Sequence, residues 1–213
     1  MGQLIEILIL AFIAGMIIFK LISVLGQRTG FEQSQRRTDT PDEVGDHEKN
    51  KDFLNVSSEK DLIGPGLRKV YSQILSIDSR FSLNQFLTGA TRAFEMIVMA
   101  YARSDLKTLK PLLSSEIYQD FQQAIKEREE NKESLETTIV TIETPEITDL
   151  KLEGTEASIT VRFTSEQIHL TRDEKGEIIE GDPKQSEQII DLWTFSRDLY
   201  AKERNWTLIK TDQ

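Results

Sequence analysis

Cysteine is absent from this 213-residue chain, which excludes disulfide frameworks, zinc ribbons, iron–sulfur clusters and thiol nucleophiles. Histidine is nearly absent too, since His47 and His169 are the only two and stand far apart in the sequence. The chain also has no His-rich metal motif, glycine-rich phosphate loop or nucleophile elbow. We therefore expect neither a metal site nor a bound cofactor.

Basic residues are scarce relative to acidic ones. The 26 Lys and Arg residues stand against 36 Asp and Glu residues, which gives a net charge of −10. A general nucleic-acid-binding protein needs a basic surface to displace counterions from the phosphates, so we expect no nucleic acid as a partner. Hydrophobic residues make up 38% of the chain, which suffices for one buried core.

One long apolar run opens the chain. The residues from Leu4 to Leu25 carry only two charges, Glu6 and Lys20. As a helix they would span about 33 Å, enough for a hydrocarbon core of about 30 Å. A signal peptide needs basic residues before its apolar core, and a mitochondrial presequence is amphipathic and rich in Arg; neither pattern is present. A buried core helix is the remaining alternative, and we interpret residues 1–25 as an uncleaved transmembrane anchor.

The charges around this run predict a topology. Its basic neighbours stand at its C-terminal side: Lys20, Arg28, Arg36 and Arg37. By the positive-inside rule, this asymmetry places the C-terminal bulk of the chain in the cytoplasm. Residues 26–63 mix charges, Pro and Gly without an apolar period, which predicts a flexible polar linker.

A short amphipathic helix is predicted to follow the linker, from about Leu67 to Ile77. Two interpretations of its apolar stripe stay open. The helix packs on its own domain, or it contacts a membrane or a partner protein with the help of two adjacent basic residues. The residues assigned to this contact are Leu67, Arg68, Lys69, Tyr71 and Ile74.

Residues 64–213 show the pattern of a folded domain. Ser82 with Gln85 forms a possible capping box for a helix to about Arg103, and Ser114 or Ser115 starts another to about Asn131. The period of the apolar residues then changes from 3.6 to 2, with the clearest strands at Ala157–Thr164 and Gln188–Phe195. Helices followed by antiparallel strands predict an α+β fold with the helices on one face of a curved sheet.

Two kinds of site are conceivable in such a domain. Five aromatic residues either fill the core or line a cavity between the helices and the sheet: Phe86, Phe94, Phe163, Trp193 and Phe195. Asp191 alternates with Trp193 and Phe195, so its carboxylate could enter an apolar pocket and serve an enzyme as a general base. The structural alternative for Asp191 is an ion pair with Arg162 or another cation. His169 is expected to be exposed at the end of a strand.

Three segments resemble the Tim44-like domain family: Phe86–Glu129, Ala157–Pro183 and Asp191–Thr211. The most specific parts are Gly89-Ala90 with Ala93-Phe94-Glu95, and Trp193-Thr194-Phe195 with Arg197-Asp198. The resemblance covers roughly Leu67 to Gln213. The apolar run followed by Val24–Gly30 is similar to the bacterial, membrane-anchored members of the family.

This resemblance implies a cone of the nuclear-transport-factor-two type with a large apolar cavity. It also implies a non-catalytic binding protein of the bacterial inner membrane, which assists protein translocation or the assembly and quality control of membrane proteins. Its expected partners are membrane lipids, membrane or translocating proteins and a heat-shock chaperone. A lipid-binding module and a small-molecule enzyme centred on Asp191 are the alternatives. Mitochondrial members carry a long charged N-terminal half that engages the chaperone, whereas this chain has only the short linker.

Overall fold

The computed structural model describes residues 59–212. The predicted anchor, residues 1–25, and the predicted linker as far as residue 58 lie outside the described residues. Within residues 59–212, none of the helices combines the length and the apolar character that a membrane crossing requires.

The helices of the domain come first in the sequence. They are α1 (Arg68–Ile77), α2 (Leu83–Ala102), α3 (Leu106–Leu109) and α4 (Ser115–Glu130), with a 3-10 turn at Pro65–Leu67 before α1. Side-chain caps explain where the two long helices begin. Ser82 Oγ accepts a hydrogen bond from the Gln85 amide at 3.2 Å, and Ser114 Oγ accepts one from the Ile117 amide at 3.3 Å. Both predicted helix starts are therefore confirmed.

The strands form one antiparallel sheet. They are β1 (Ser134–Ile142), β2 (Glu146–Glu153), β3 (Glu156–Arg172), β4 (Ile178–Glu180), β5 (Glu187–Asp198) and β6 (Thr207–Asp212). The sheet order is β1-β3-β5-β6, and β2 and β4 also pair with β3. Because β2 pairs with the first half of β3 and β1 with the second half, β3 runs the full length of the sheet.

The core lies between α2 and one face of the sheet. Phe94 of α2 stacks on Phe163 of β3, with ring centroids 4.5 Å apart, and Phe86 meets Phe195 of β5 edge to face at 6.0 Å. Arg162, on the opposite face of β3, is exposed and paired with Glu146. The predicted α+β class, with helices packed on an antiparallel sheet, is confirmed.

Two sequence-based boundaries need correction. β3 continues well beyond the predicted end at Thr164, because the inward positions Ser165 and Gln167 are polar and interrupt the apolar alternation without ending the strand. The packed part of the domain also begins earlier than residue 64. Glu59 and Ile63, which were assigned to the linker, are both buried at 4% exposure.

Truncation of the central aromatic stack tests this packing. We expect Phe163→Ala to lower the free energy of unfolding by about 3–5 kcal/mol, because Phe163 is fully buried and its ring contacts are lost. Urea denaturation of the full chain in mild detergent measures the change. Tryptophan fluorescence suits the purpose, because both tryptophans, Trp193 and Trp206, belong to this domain.

The matched control is Met96→Ala, which removes an exposed apolar side chain from the same helix that carries Phe94. Its effect should stay within about 0.5 kcal/mol. Equal denaturation midpoints for Phe163→Ala and Met96→Ala would contradict the packing described for β3.

Candidate functional site

The five aromatic residues predicted to line a cavity lie together in the core. Phe94 contacts Phe163 and Trp193, with the Trp193 ring 4.7 Å away, and the ring of Trp193 lies 6.3 Å from that of Phe195. All five are at most 5% exposed. The rings therefore fill space against one another, and the two surface pockets described below are lined by other residues.

The predicted contact segment divides into a buried part and an exposed part. Tyr71 and Ile74 are fully buried in the core, which corrects their assignment to a membrane or partner contact. Leu67 is half-buried, whereas Arg68 and Lys69 are exposed. Arg68 lies 3.6 Å from the carboxylate of Asp61. The two basic residues at the start of α1 are thus available to a partner, whereas the face that carries Tyr71 and Ile74 packs on its own domain.

The buried carboxylate of Glu59 connects the segment before α1 to α1 itself and to the start of α2. Glu59 accepts hydrogen bonds from the Tyr71 hydroxyl at 2.5 Å, the Ser82 hydroxyl at 2.5 Å and the Asn84 side-chain amide at 3.2 Å. Burial alone raises the pKa of Glu59, but these hydrogen bonds outweigh it and hold the pKa below its ordinary value. Burial and the Glu59 contact raise the pKa of Tyr71. No sequence signal distinguished Glu59 from the polar residues before it.

The candidate general base lies on the inward face of β5. Asp191 is buried at 8% exposure and stands opposite Phe163 of β3. It is not among the residues that line either of the two surface pockets. Arg162, the predicted ion-pair partner, pairs with Glu146.

His169 is half-buried rather than exposed, because Thr137 of β1 covers it. The Thr137 hydroxyl lies 2.9 Å from His169 Nδ1. Burial lowers the pKa of His169, and the charges of Glu187 and Glu180 partly offset this effect. Nearby, Gln167 donates a hydrogen bond to Ser165 at 2.8 Å. The second half of β3 thus turns a polar surface inward. Within residues 59–212, no group of three or more potential ligands could hold a metal ion.

A groove of about 510 Å³ lies between α2 and β1, and we refer to it as the α2–β1 groove. Its walls are Thr91, Glu95 and Met99 on α2 and residues 137–142 on β1. β1 stands at one end of the sheet order, so its outer edge has no neighbouring strand within the described residues. Val140 sits at a bulge in β1 and is 52% exposed. The groove therefore offers apolar side chains beside an unpaired strand edge, which is suited to a polypeptide segment.

A smaller pocket, of about 270 Å³, lies between the α1–α2 turn and the β5–β6 connection. We call it the arginine pocket, after the cations among its lining residues: Asp78, Arg80, Arg197, Tyr200 and Arg204. Arg197 Nη2 donates to Asp78 Oδ2 at 2.7 Å, and both side chains are nearly buried. The guanidinium also stacks on Trp206 at 5.0 Å. The sequence had highlighted Arg197 within a motif, but without any role.

Asp78 is held in its charged form. Burial raises its pKa, but the hydrogen bond from Arg197 and the charges of Arg197 and Arg204 lower it below the ordinary value. Asp78 Oδ1 accepts from the backbone amide of Arg80 at 3.2 Å. The ion pair thereby joins the turn before α2 to the end of β5.

The chain belongs to the Tim44-like domain family, whose profile matches residues 67–213. It is 25% identical over 146 residues to tin-44 of Caenorhabditis elegans, named a probable mitochondrial import inner membrane translocase subunit. It is 27% identical over 124 residues to the mitochondrial import inner membrane translocase subunit TIM44-1 of Arabidopsis thaliana. These matches cover 67% and 58% of this chain, but only 34% and 26% of the two relatives.

A Rickettsia prowazekii protein of undescribed function, RP434, is similar over almost the full length. It is 24% identical over 229 residues, which cover 97% of this chain and 96% of that protein. Among solved structures, the intermembrane-space region of the chloroplast protein ARC6 matches with a TM-score of 0.42 and 11% identity. That match covers 62% of this chain and 96% of the ARC6 region.

The Glu59 cluster predicts a specific loss of stability in acid. A group whose pKa is lowered by folding stabilises the fold above its unfolded pKa, near 4.5, and this contribution disappears as the pH falls through the lower folded value. We expect Glu59→Gln to cost about 1–3 kcal/mol at pH 7, because the charged acceptor of a buried hydrogen-bond cluster is lost. The variant should also lose less stability than the parent between pH 6 and about pH 3.

Urea denaturation across this pH range measures both effects. Glu130→Gln serves as the control, since Glu130 is exposed and forms only a surface pair with Lys126. An unchanged pH dependence in Glu59→Gln would show that this carboxylate is not the titrating group; Asp78 contributes in the same direction and remains in the variant.

Proposed function

We propose that this chain is a membrane-anchored, non-catalytic binding protein that assists protein translocation or the assembly and quality control of membrane proteins. The observation that carries the proposal is the family match over residues 67–213, with relatives named as inner-membrane translocase subunits. The proposal includes an anchor at residues 1–25, a bacterial inner-membrane location and a cytoplasmic domain. It also includes a cone of the nuclear-transport-factor-two type and contact with a heat-shock chaperone.

The α2–β1 groove is the proposed contact site for membrane or translocating polypeptides. Its apolar side chains are partly exposed, and Met96 beside it on α2 is 48% exposed. An extended segment laid along β1 can hydrogen-bond to the strand edge while its side chains enter the groove. The bulge at Val140 interrupts the regular edge of β1, which favours a short segment over a long added strand.

Photo-crosslinking tests the groove in membranes. A photoreactive residue at Val140 should form adducts with membrane or translocating polypeptides, because Val140 is exposed in the groove wall. The matched control is Ile190 of β5, which is 46% exposed. It precedes the inward-facing Asp191 and therefore points to the opposite face of the sheet. Adducts that form equally at both positions, or at neither, would contradict the groove as the contact site.

The exposed start of α1 is the proposed lipid contact. We expect Arg68→Glu with Lys69→Glu to weaken binding of a chain lacking residues 1–27 to anionic vesicles by about tenfold or more, because each cation near an anionic surface contributes about 1 kcal/mol. Vesicle co-sedimentation measures the change, and circular dichroism checks the fold.

The control for this experiment reverses the same amount of charge elsewhere. Lys107 and Lys110 are exposed residues beyond the C-terminus of α2, the end of that helix away from α1. If the double variant Lys107→Glu with Lys110→Glu weakens vesicle binding as strongly as the double variant at Arg68 and Lys69 does, then net charge alone determines binding. The start of α1 would then not be a specific lipid contact.

A further inference from the structure

The arginine pocket concentrates positive charge on an acidic chain. Three guanidinium groups and one carboxylate are the charged groups in its lining, which leaves an excess of two positive charges. The chain as a whole carries a net charge of −10. Like charges gathered around a concave surface repel one another, so a site of this kind gains stability from an anion that enters it.

The donors in the pocket outnumber the acceptors. Arg197 makes one hydrogen bond, from Nη2 to Asp78, and its Nε is buried without any partner. Arg204 comes only within 3.9 Å of Asp78, whose Oδ1 already accepts from the Arg80 backbone. The Arg80 side chain is exposed and forms no hydrogen bond within the described residues. The donors that a ligand in the pocket can reach are therefore the exposed guanidinium groups of Arg80 and Arg204.

We propose that the arginine pocket binds a phosphate group, carried either by a free phosphate or by a phospholipid headgroup. A phosphate dianion, either free or as the monoester of phosphatidic acid, balances the excess of two positive charges, which a single carboxylate does not. Its oxygens accept in pairs from planar guanidinium groups, such as those of Arg80 and Arg204. Tyr200, which is 72% exposed and also lines the pocket, adds a hydroxyl.

The pocket is also the right size for such a group. Its volume of about 270 Å³ holds a phosphate and leaves room for an ester substituent. Asp78 stays in place as the counter-ion that fixes Arg197, so the ligand engages the remaining donors. This site is independent of the α2–β1 groove, because the pocket lies beside the N-terminus of α2 and the groove along its C-terminal half.

Titration of the full chain in detergent with inorganic phosphate tests the site. Chloride keeps the ionic strength constant, and tryptophan fluorescence reports binding because Trp206 stacks on Arg197. We expect a saturable response, and Arg204→Gln should weaken the affinity by about tenfold, the loss of one charge-assisted hydrogen bond. Arg80→Gln should weaken it in the same direction. Both residues are exposed, so neither variant depends on replacing the buried Arg197.

Arg103→Gln is the matched control. It removes one exposed arginine at the C-terminal end of α2. The length of this helix, about 30 Å, separates Arg103 from the end of α2 next to the pocket. Its phosphate affinity should equal that of the parent chain. The proposal is overturned if phosphate and chloride give the same response, or if Arg103→Gln weakens binding as much as Arg204→Gln does.

A soluble short-chain phospholipid separates the two sources of phosphate. Dihexanoyl phosphatidic acid, used below its micelle concentration, presents the same phosphate monoester on a lipid. If it binds more tightly than inorganic phosphate and still depends on Arg204, the ligand is a lipid headgroup. If inorganic phosphate binds as tightly or better, the ligand is a free phosphate. If neither compound binds, the proposal is overturned.

Discussion

The pairing of β3 with four other strands determines where the rest of the domain can lie. β1 and β2 share one side of β3 by pairing with its successive halves, and β5 pairs along most of the other side. Because side chains alternate along a strand, the buried residues of β3 from Ala157 to Gln167 lie on one face of the sheet. The apolar half of that row, from Ala157 to Phe163, receives α2, and the polar half, from Ser165, continues past the aromatic stack. The core and its polar extension are thus consecutive parts of one strand.

Two buried carboxylates then join the helices to this framework. Glu59 accepts hydrogen bonds from side chains of α1 and of the N-terminus of α2. Asp78 accepts one from Arg197, which connects the α1–α2 turn to β5. A buried charge is costly unless its hydrogen bonds are satisfied, and each carboxylate accepts at least one hydrogen bond from a donor distant in sequence. The position of α1 is therefore specified by polar contacts as well as by the burial of Tyr71 and Ile74.

Local signals in the sequence predicted local structure well. Ser82 and Ser114 identified the helix starts, because capping depends on residues three positions apart. The alternation in Ala157–Phe163 identified the inward face of β3. The sequence failed where a residue's environment depends on distant partners: Glu59 resembled a linker residue, and His169 resembled an exposed one. Tyr71 and Ile74 show the same limit, because an apolar stripe on a helix does not say whether it faces a membrane or its own domain.

The two surface sites differ in the chemistry that they offer. The α2–β1 groove presents apolar side chains and an open strand edge, whose contacts with a polypeptide are short-ranged and tolerant of sequence. The arginine pocket presents one buried and two exposed guanidinium groups, which favour an anion by charge and geometry. α2 lines the groove, and its N-terminus follows the turn that carries Asp78 and Arg80 of the arginine pocket. The two sites share no lining residue, so each can receive its ligand without contact with the other.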